Sequence, residues 1–211
     1  MTELVFILDR SGSMAGLERD TIGGFNAMIE KQKREEGQTV VSTVLFESET
    51  QVIHDRLPLE RIPPMTEEDY TVGGTTALLD AVGKAIHHIG NVHKYARVED
   101  RPDRTLFVIT TDGYENSSRQ YDYTRVRQMI EWQKEKYGWE FLFLGANIDA
   151  AKEAGRLGIA AERAANYHAD PTGTTLSFEA VAEAVTAVRK GHAIGEEWRK
   201  SIDADIRRRG R

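Results

Sequence analysis

The chain has 211 residues, 34 of them acidic and 28 basic, for a formal net charge of −6. Its 40% hydrophobic and 29% charged content, with both signs mixed, excludes a disordered or fibrous chain. The acidic balance argues against general binding to nucleic acid or to an anionic membrane surface, and the lack of any cysteine excludes a disulfide framework, a thiol nucleophile and a zinc–cysteine site.

No apolar run approaches the ~18 residues of a membrane span. Met1-Thr2-Glu3 lacks the basic stretch of a secretory leader, so a cytoplasmic location is expected. Residues 4–8 form a continuous apolar run, the pattern of a strand buried on both faces of a parallel sheet. Leu17, Thr21, Phe25, Met28 and Ile29 recur at helical spacing, and Gly37 can stop that helix. Residues 39–46 are rich in β-branched side chains, and residues 51–57 can pair back on them as one antiparallel edge. Residues 58–72, with three prolines, read as a loop. Leu79, Val82, Ile86, Ile89 and His93 mark a second helix, and residues 104–111 a third buried strand. Val126, Met129, Ile130 and Tyr137 mark a helix ending at Gly138, and residues 139–144 a further strand stopped by Gly145. Asp149 can cap a short helix. Tyr167 falls in a weak final strand, and a long helix is expected from near Leu176.

Strands alternating with helices imply right-handed crossovers. The expected fold is a doubly wound α/β domain: a mostly parallel sheet with one antiparallel edge strand and helices on both faces, over residues 1–190. Ligands of such sheets bind outside the carboxyl ends of the strands, where strand order reverses.

Three segments carry oxygen donors to that edge. Asp9, Ser11 and Ser13 follow the first strand at a spacing of two, with Gly12 allowing a tight turn. Thr75 follows Gly73-Gly74 before the second helix, and Asp112 ends the third strand. Each alone fits a helix cap or turn; together they form a hard, all-oxygen donor set suited to Mg²⁺, Mn²⁺ or Ca²⁺. Two carboxylates roughly neutralise the ion and leave a position for an outside oxygen.

This pattern resembles the metal-ion-dependent adhesion site of von Willebrand factor type A domains, with the family's Asp-x-Ser-x-Ser on Asp9, Ser11 and Ser13, its distal threonine on Thr75 and its distal aspartate on Asp112. Residues 115–118, Glu-Asn-Ser-Ser, and 143–149, Phe-Leu-Gly-Ala-Asn-Ile-Asp, resemble stretches of stand-alone bacterial and phage members. The resemblance implies a Rossmann-like fold and a non-enzymatic protein-binding module, in which the metal's free position takes a Glu or Asp of a partner protein. The alternative is a metal-dependent phosphohydrolase or phosphotransferase, which would place a second Asp where Ser11 stands and a lysine near the strand ends.

Other features have bland readings. Glu115 and Asn116 form the metal rim or satisfy a turn, the turn being favoured. Helix capping explains Asp149 beside Asn147, and Asp80 suits the start of a helix. Arg10 meets a partner's acid or is solvated. His87, His88 and His93 place no i, i+4 pair on one face. Trp132 and Trp139 are expected to cover the core. Beyond residue 190, Ile194, Trp198, Ile202 and Ile206 draw an apolar stripe on an otherwise polar helix that packs back on its own domain or forms a homo-oligomer, before the basic end at 207–211.

Overall fold

A computed structural model describes residues 1–210. Six strands form one sheet in the order β3-β2-β1-β4-β5-β6. They are β1 (Thr2–Asp9), β2 (Thr39–Phe46), β3 (Thr50–Pro58), β4 (Arg104–Thr111), β5 (Glu140–Gly145) and β6 (Ala164–Asn166). All neighbours are parallel except β2 and β3. The helices are α1 (Glu18–Lys33), α2 (Leu78–Tyr95), α3 (Tyr123–Tyr137), α4 (Ala150–Arg156), α5 (Pro171–Arg189) and α6 (Lys200–Arg209). The expected doubly wound sheet with one antiparallel edge is present.

The pleat of β1 shows why its apolar run is unbroken. Leu4, Phe6 and Leu8 join one core with Phe25 and Met28 of α1, Phe178 and Val181 of α5 and Ile202 of α6. Val5 and Ile7 join the other, with Leu79 and Val82 of α2, Val126 and Ile130 of α3 and Ala154 of α4. Successive side chains point to opposite faces, so a strand covered on both must be apolar throughout.

β1 and β4 lie side by side in parallel, with Leu8 opposite Thr110. The chain leaves β1 for α1 on one face and β4 for α3 on the other. The two connections diverge and open a crevice at the carboxyl ends of this pair. Asp9 and Asp112 stand at its mouth.

Three local expectations need correction. α5 begins at Pro171, five residues before Leu176, because Asp170 caps it by accepting the Gly173 N–H at 2.8 Å and Pro171 suits the first turn. The last strand is residues 164–166, and Tyr167 lies just beyond it. Trp139 is buried, but Trp132 is 54% exposed, with the Lys136 ammonium 4.6 Å from its ring centre.

The stripe at 194–206 is not left open. Ile194, Trp198 and Ile202 are buried in the core of the α1 face, with Ile206 packed against it. The Trp198 indole N–H donates to the Glu162 carbonyl at 3.0 Å. This apolar stripe is therefore covered by the chain's own core. Among the described residues, no helix is long and apolar enough to cross a membrane.

Candidate metal centre

Asp9 ends β1 and is 1% exposed. One carboxylate oxygen accepts the Ser11 N–H at 2.7 Å and the other the Thr111 hydroxyl at 2.6 Å. The Tyr70 hydroxyl, carried into the interior by the 58–72 loop, donates to the Asp9 carbonyl. The aspartate is thus fixed by its own turn, by the neighbouring strand and by the loop. The Ser11 and Ser13 hydroxyls share a hydrogen bond of 3.1 Å, and Ser13 donates to Asp112 Oδ1 at 2.5 Å. These contacts join the ends of β1 and β4 across 99 positions.

The two adjacent threonines face different surroundings. Thr75 is exposed, and its hydroxyl bonds those of Ser48 at 3.0 Å and Ser117 at 2.8 Å, outside the cluster. Thr76 is buried. A methyl group built on Gly113 would stand 3.8 Å from both Ser13 Oγ and Thr76 Oγ1, so both hydroxyls border the space beside the Asp112 turn. Hydrogen bonds link Asp9, Ser11, Ser13 and Asp112 in sequence, and the Thr76 hydroxyl borders the same Asp112 turn. Gly74 supports this placement: its carbonyl accepts the Gly12 N–H at 3.2 Å, and its φ of +70° turns the loop as glycine readily permits.

Residues 115–118 hold Thr76 in place. Asn116 Oδ1 accepts the Thr76 N–H at 2.9 Å, and the Asn116 N–H donates to the Thr76 carbonyl at 3.1 Å. Glu115 accepts the Leu79 N–H at 2.9 Å and the N–H groups of Ser117 and Ser118 at 2.8 and 2.6 Å. Ser118 Oγ accepts the Asp80 N–H at 2.9 Å, while Asp80 accepts the N–H groups of Arg119, Gln120 and Tyr121 at 3.0, 2.9 and 2.9 Å. The orphan donors at the start of α2 and the backbone of the β4–α3 loop thus satisfy one another. These are turn and capping roles, and through Asn116 they fix the Thr76 backbone. Asp149 caps α4 through the Lys152 N–H at 3.1 Å. Arg10 turns to Gln51, at 2.7 Å. The three histidines part company: His93 bonds buried Glu3, His88 bonds Asp55 and His87 bonds Asn91.

Burial pushes the Asp9 carboxyl up from its ordinary range, against the hydrogen bonds that favour its charge. Burial does the same to Asp112; the Ser13 bond opposes it and the charge of Asp9 adds to it. Asp112 Oδ2 is buried with no hydrogen-bond partner. A buried unpaired carboxylate oxygen is costly, and a cation is the group that relieves it. Two carboxylates and three hydroxyls, without sulfur or imidazole, match a hard divalent cation such as Mg²⁺. No cluster of three or more His, Cys, Asp or Glu side chains that could hold a metal occurs among the described residues, so the hydroxyls are essential to the set.

No protein-family model matches the sequence, and no curated protein does. Solved structures do match. A von Willebrand factor type A structure from Catenulispora acidiphila superposes with a TM-score of 0.60 at 15% identity, over 88% of this chain and 42% of that one. Proximal thread matrix protein 1 from the mussel byssus, with a zinc-occupied MIDAS motif, gives 0.59 at 11% identity, over 88% of this chain and 46% of that one. The manganese-loaded TRAP protein of Plasmodium vivax gives 0.52 at 15% identity, over 84% and 73%. The chain spans less than half the length of the first two. With the six-strand order and the crevice between β1 and β4, these likenesses settle the architecture: the chain has the Rossmann-like fold of von Willebrand factor type A domains.

Proposed function

We propose that the chain is a metal-dependent protein-binding module of the stand-alone bacterial and phage type. Asp9, Ser11, Ser13, Thr76 and Asp112 hold one Mg²⁺, directly or through water, with Mn²⁺ or Ca²⁺ as substitutes. A Glu or Asp of a partner protein supplies the remaining oxygen. Bound there, the cation acts as a Lewis acid for that carboxylate. The chain's own part is to hold five oxygens still: Thr111 and Tyr70 fix Asp9, Ser13 orients Asp112 and Asn116 anchors Thr76.

The single observation that carries this reading is the buried, unpartnered Oδ2 of Asp112, the aspartate whose other oxygen accepts the Ser13 hydroxyl. The zinc-occupied and manganese-loaded structural neighbours support it. Binding is preferred to phosphoryl transfer because Arg10, the basic residue next to Asp9, is directed to Gln51 and Glu47 rather than held to steady phosphoryl charge.

Calorimetric titration with Mg²⁺ and Mn²⁺ tests the metal. The expected result is one saturable site in the wild type and none in Asp112→Ala. Absence of saturation in the wild type, or equal binding by the variant, overturns the proposal. A pull-down in Mg²⁺ and in EDTA, with Asp9→Ala as control, then identifies the partner as a protein lost in both controls.

A further inference from the structure

Trp132 and Tyr137, two aromatic side chains each 54% exposed, line one open groove of about 620 Å³ between α2 and α3. Both helices cover the same face of the sheet. Both lead from its carboxyl edge to its amino edge, so they run side by side in the same direction. Gly90 keeps the middle of the groove open, since a Cβ there would stand 3.1 Å from Gln133 Nε2. Gln133 Oε1 is buried with no hydrogen-bond partner, an acceptor that an arriving N–H satisfies once the carboxamide turns. Large rings grouped in water serve an interaction more than they serve the fold.

The charge of the groove has one sign. Lys94, in the last turn of α2, and Arg125, in the first turn of α3, line it, and no Asp or Glu does. Because the helices run in parallel, these cations stand toward opposite ends of the groove. Neither has a carboxylate within 4.0 Å among the described residues. The Lys94 ammonium lies 5.2 Å from the Tyr95 ring centre and the Arg125 guanidinium 4.7 Å from that of Tyr121. The neighbouring acids are engaged or lie elsewhere. Glu131 pairs with Arg127 at 2.8 Å on the side of α3 that meets Gly158, Asp103 pairs with the N-terminal ammonium, and Glu135 is not among the groove's walls.

We propose that this groove docks an acidic amphipathic helix of a partner protein, independently of the metal centre. The apolar stripe of that helix covers Met129, Trp132 and Tyr137, and carboxylates at its two ends meet Arg125 and Lys94. Two parallel helices with a gap between them offer ridges and a groove to a third. The local charge selects an acidic stripe over a basic one. The net charge of −6 on the whole chain disfavours a polyanion such as nucleic acid, which carries a charge at every phosphate.

The test uses the full chain in EDTA, so it does not depend on Mg²⁺. The probe is an alanine-based helical peptide of about 14 residues, or ~20 Å, with a leucine stripe and glutamates at both ends. The controls are the same peptide with lysines in place of the glutamates, and a thymidine oligonucleotide. Binding is followed by NMR at the Trp132 indole N–H and the backbone amides of Gly90 and Asn91. Saturable shifts are expected with the acidic peptide. Lys94→Met combined with Arg125→Met should weaken its binding at least about tenfold, and Trp132→Ala by a similar factor. All three side chains are exposed, so both proteins should keep the wild-type thermal midpoint. No saturation, equal affinity for the lysine peptide, or unchanged affinity in either protein overturns the proposal, as does tighter binding of the oligonucleotide. None of these outcomes alters the metal titration, which is measured separately.

Discussion

Thr75 and Thr76 are neighbours in the chain, yet their hydroxyls serve different surroundings: Thr75 bonds Ser48 and Ser117, and Thr76 borders the space beside Gly113 and Ser13. Thr76→Val is therefore expected to weaken Mg²⁺ binding at least about tenfold more than Thr75→Val, the scale of one lost oxygen donor. Parallel calorimetric titrations of the two variants check this, and the reverse order would return the donor role to Thr75.

The Asp80 clamp gives a pH dependence. Burial alone would raise this carboxyl, but three backbone N–H groups and nearby Lys84 outweigh it and hold its pKa below the ordinary 3.8. The folded chain then binds fewer protons than the unfolded one as pH falls below about 4, and the clamp's contribution, present above that range, is lost through the depressed folded value. Asp80→Asn is expected to cost about 1–3 kcal/mol at neutral pH and to flatten the acid limb of stability. Urea denaturation at several pH values measures both effects.

Gly24 on α1 faces the ring of Phe178 on α5, and a Cβ there would stand 2.4 Å from Phe178 Cδ2. Alanine is the better helix former by about 1 kcal/mol. The clash with a buried ring is nevertheless expected to dominate, leaving Gly24→Ala destabilised by about 1–2 kcal/mol at constant denaturant slope.

Trp198 is 4% exposed and anchors the segment before α6. Trp198→Ala is expected to cost about 3–5 kcal/mol. Truncation before Gly195 should lower the thermal midpoint and expose the α1-side core. Unchanged stability in either protein would mean that the segment does not pack as described.

Much of this architecture is legible because burial on both faces leaves a strand little choice of residue. β2 and β4 occupy the residues expected, and β1 extends its apolar run only to Thr2 and Asp9. β6 is weaker, being three residues with two alanines that carry little strand preference. The α5 start was signalled by Asp170-Pro171 but masked by the apolar period beginning later. In the site, Asp9, Ser11, Ser13 and Asp112 lie on strand ends or tight turns, where spacing dictates geometry. The threonine lies on a glycine loop, where the +70° φ of Gly74 decides which of two adjacent hydroxyls turns inward. Tyr70 was hidden for a related reason, since nothing in a proline-rich loop announces that one aromatic ring plunges beneath a strand end.

The pairing of Leu8 with Thr110 has a consequence for assembly. A slide of β4 along β1 by two positions keeps every core face satisfied yet carries Asp112 about 6.6 Å away from Ser13. Hydrophobic patterning tolerates that error, whereas a ligand needing both aspartates does not. The cation would then proofread alignment, rewarding only the finished sheet and adding its binding energy to the molecule as a whole.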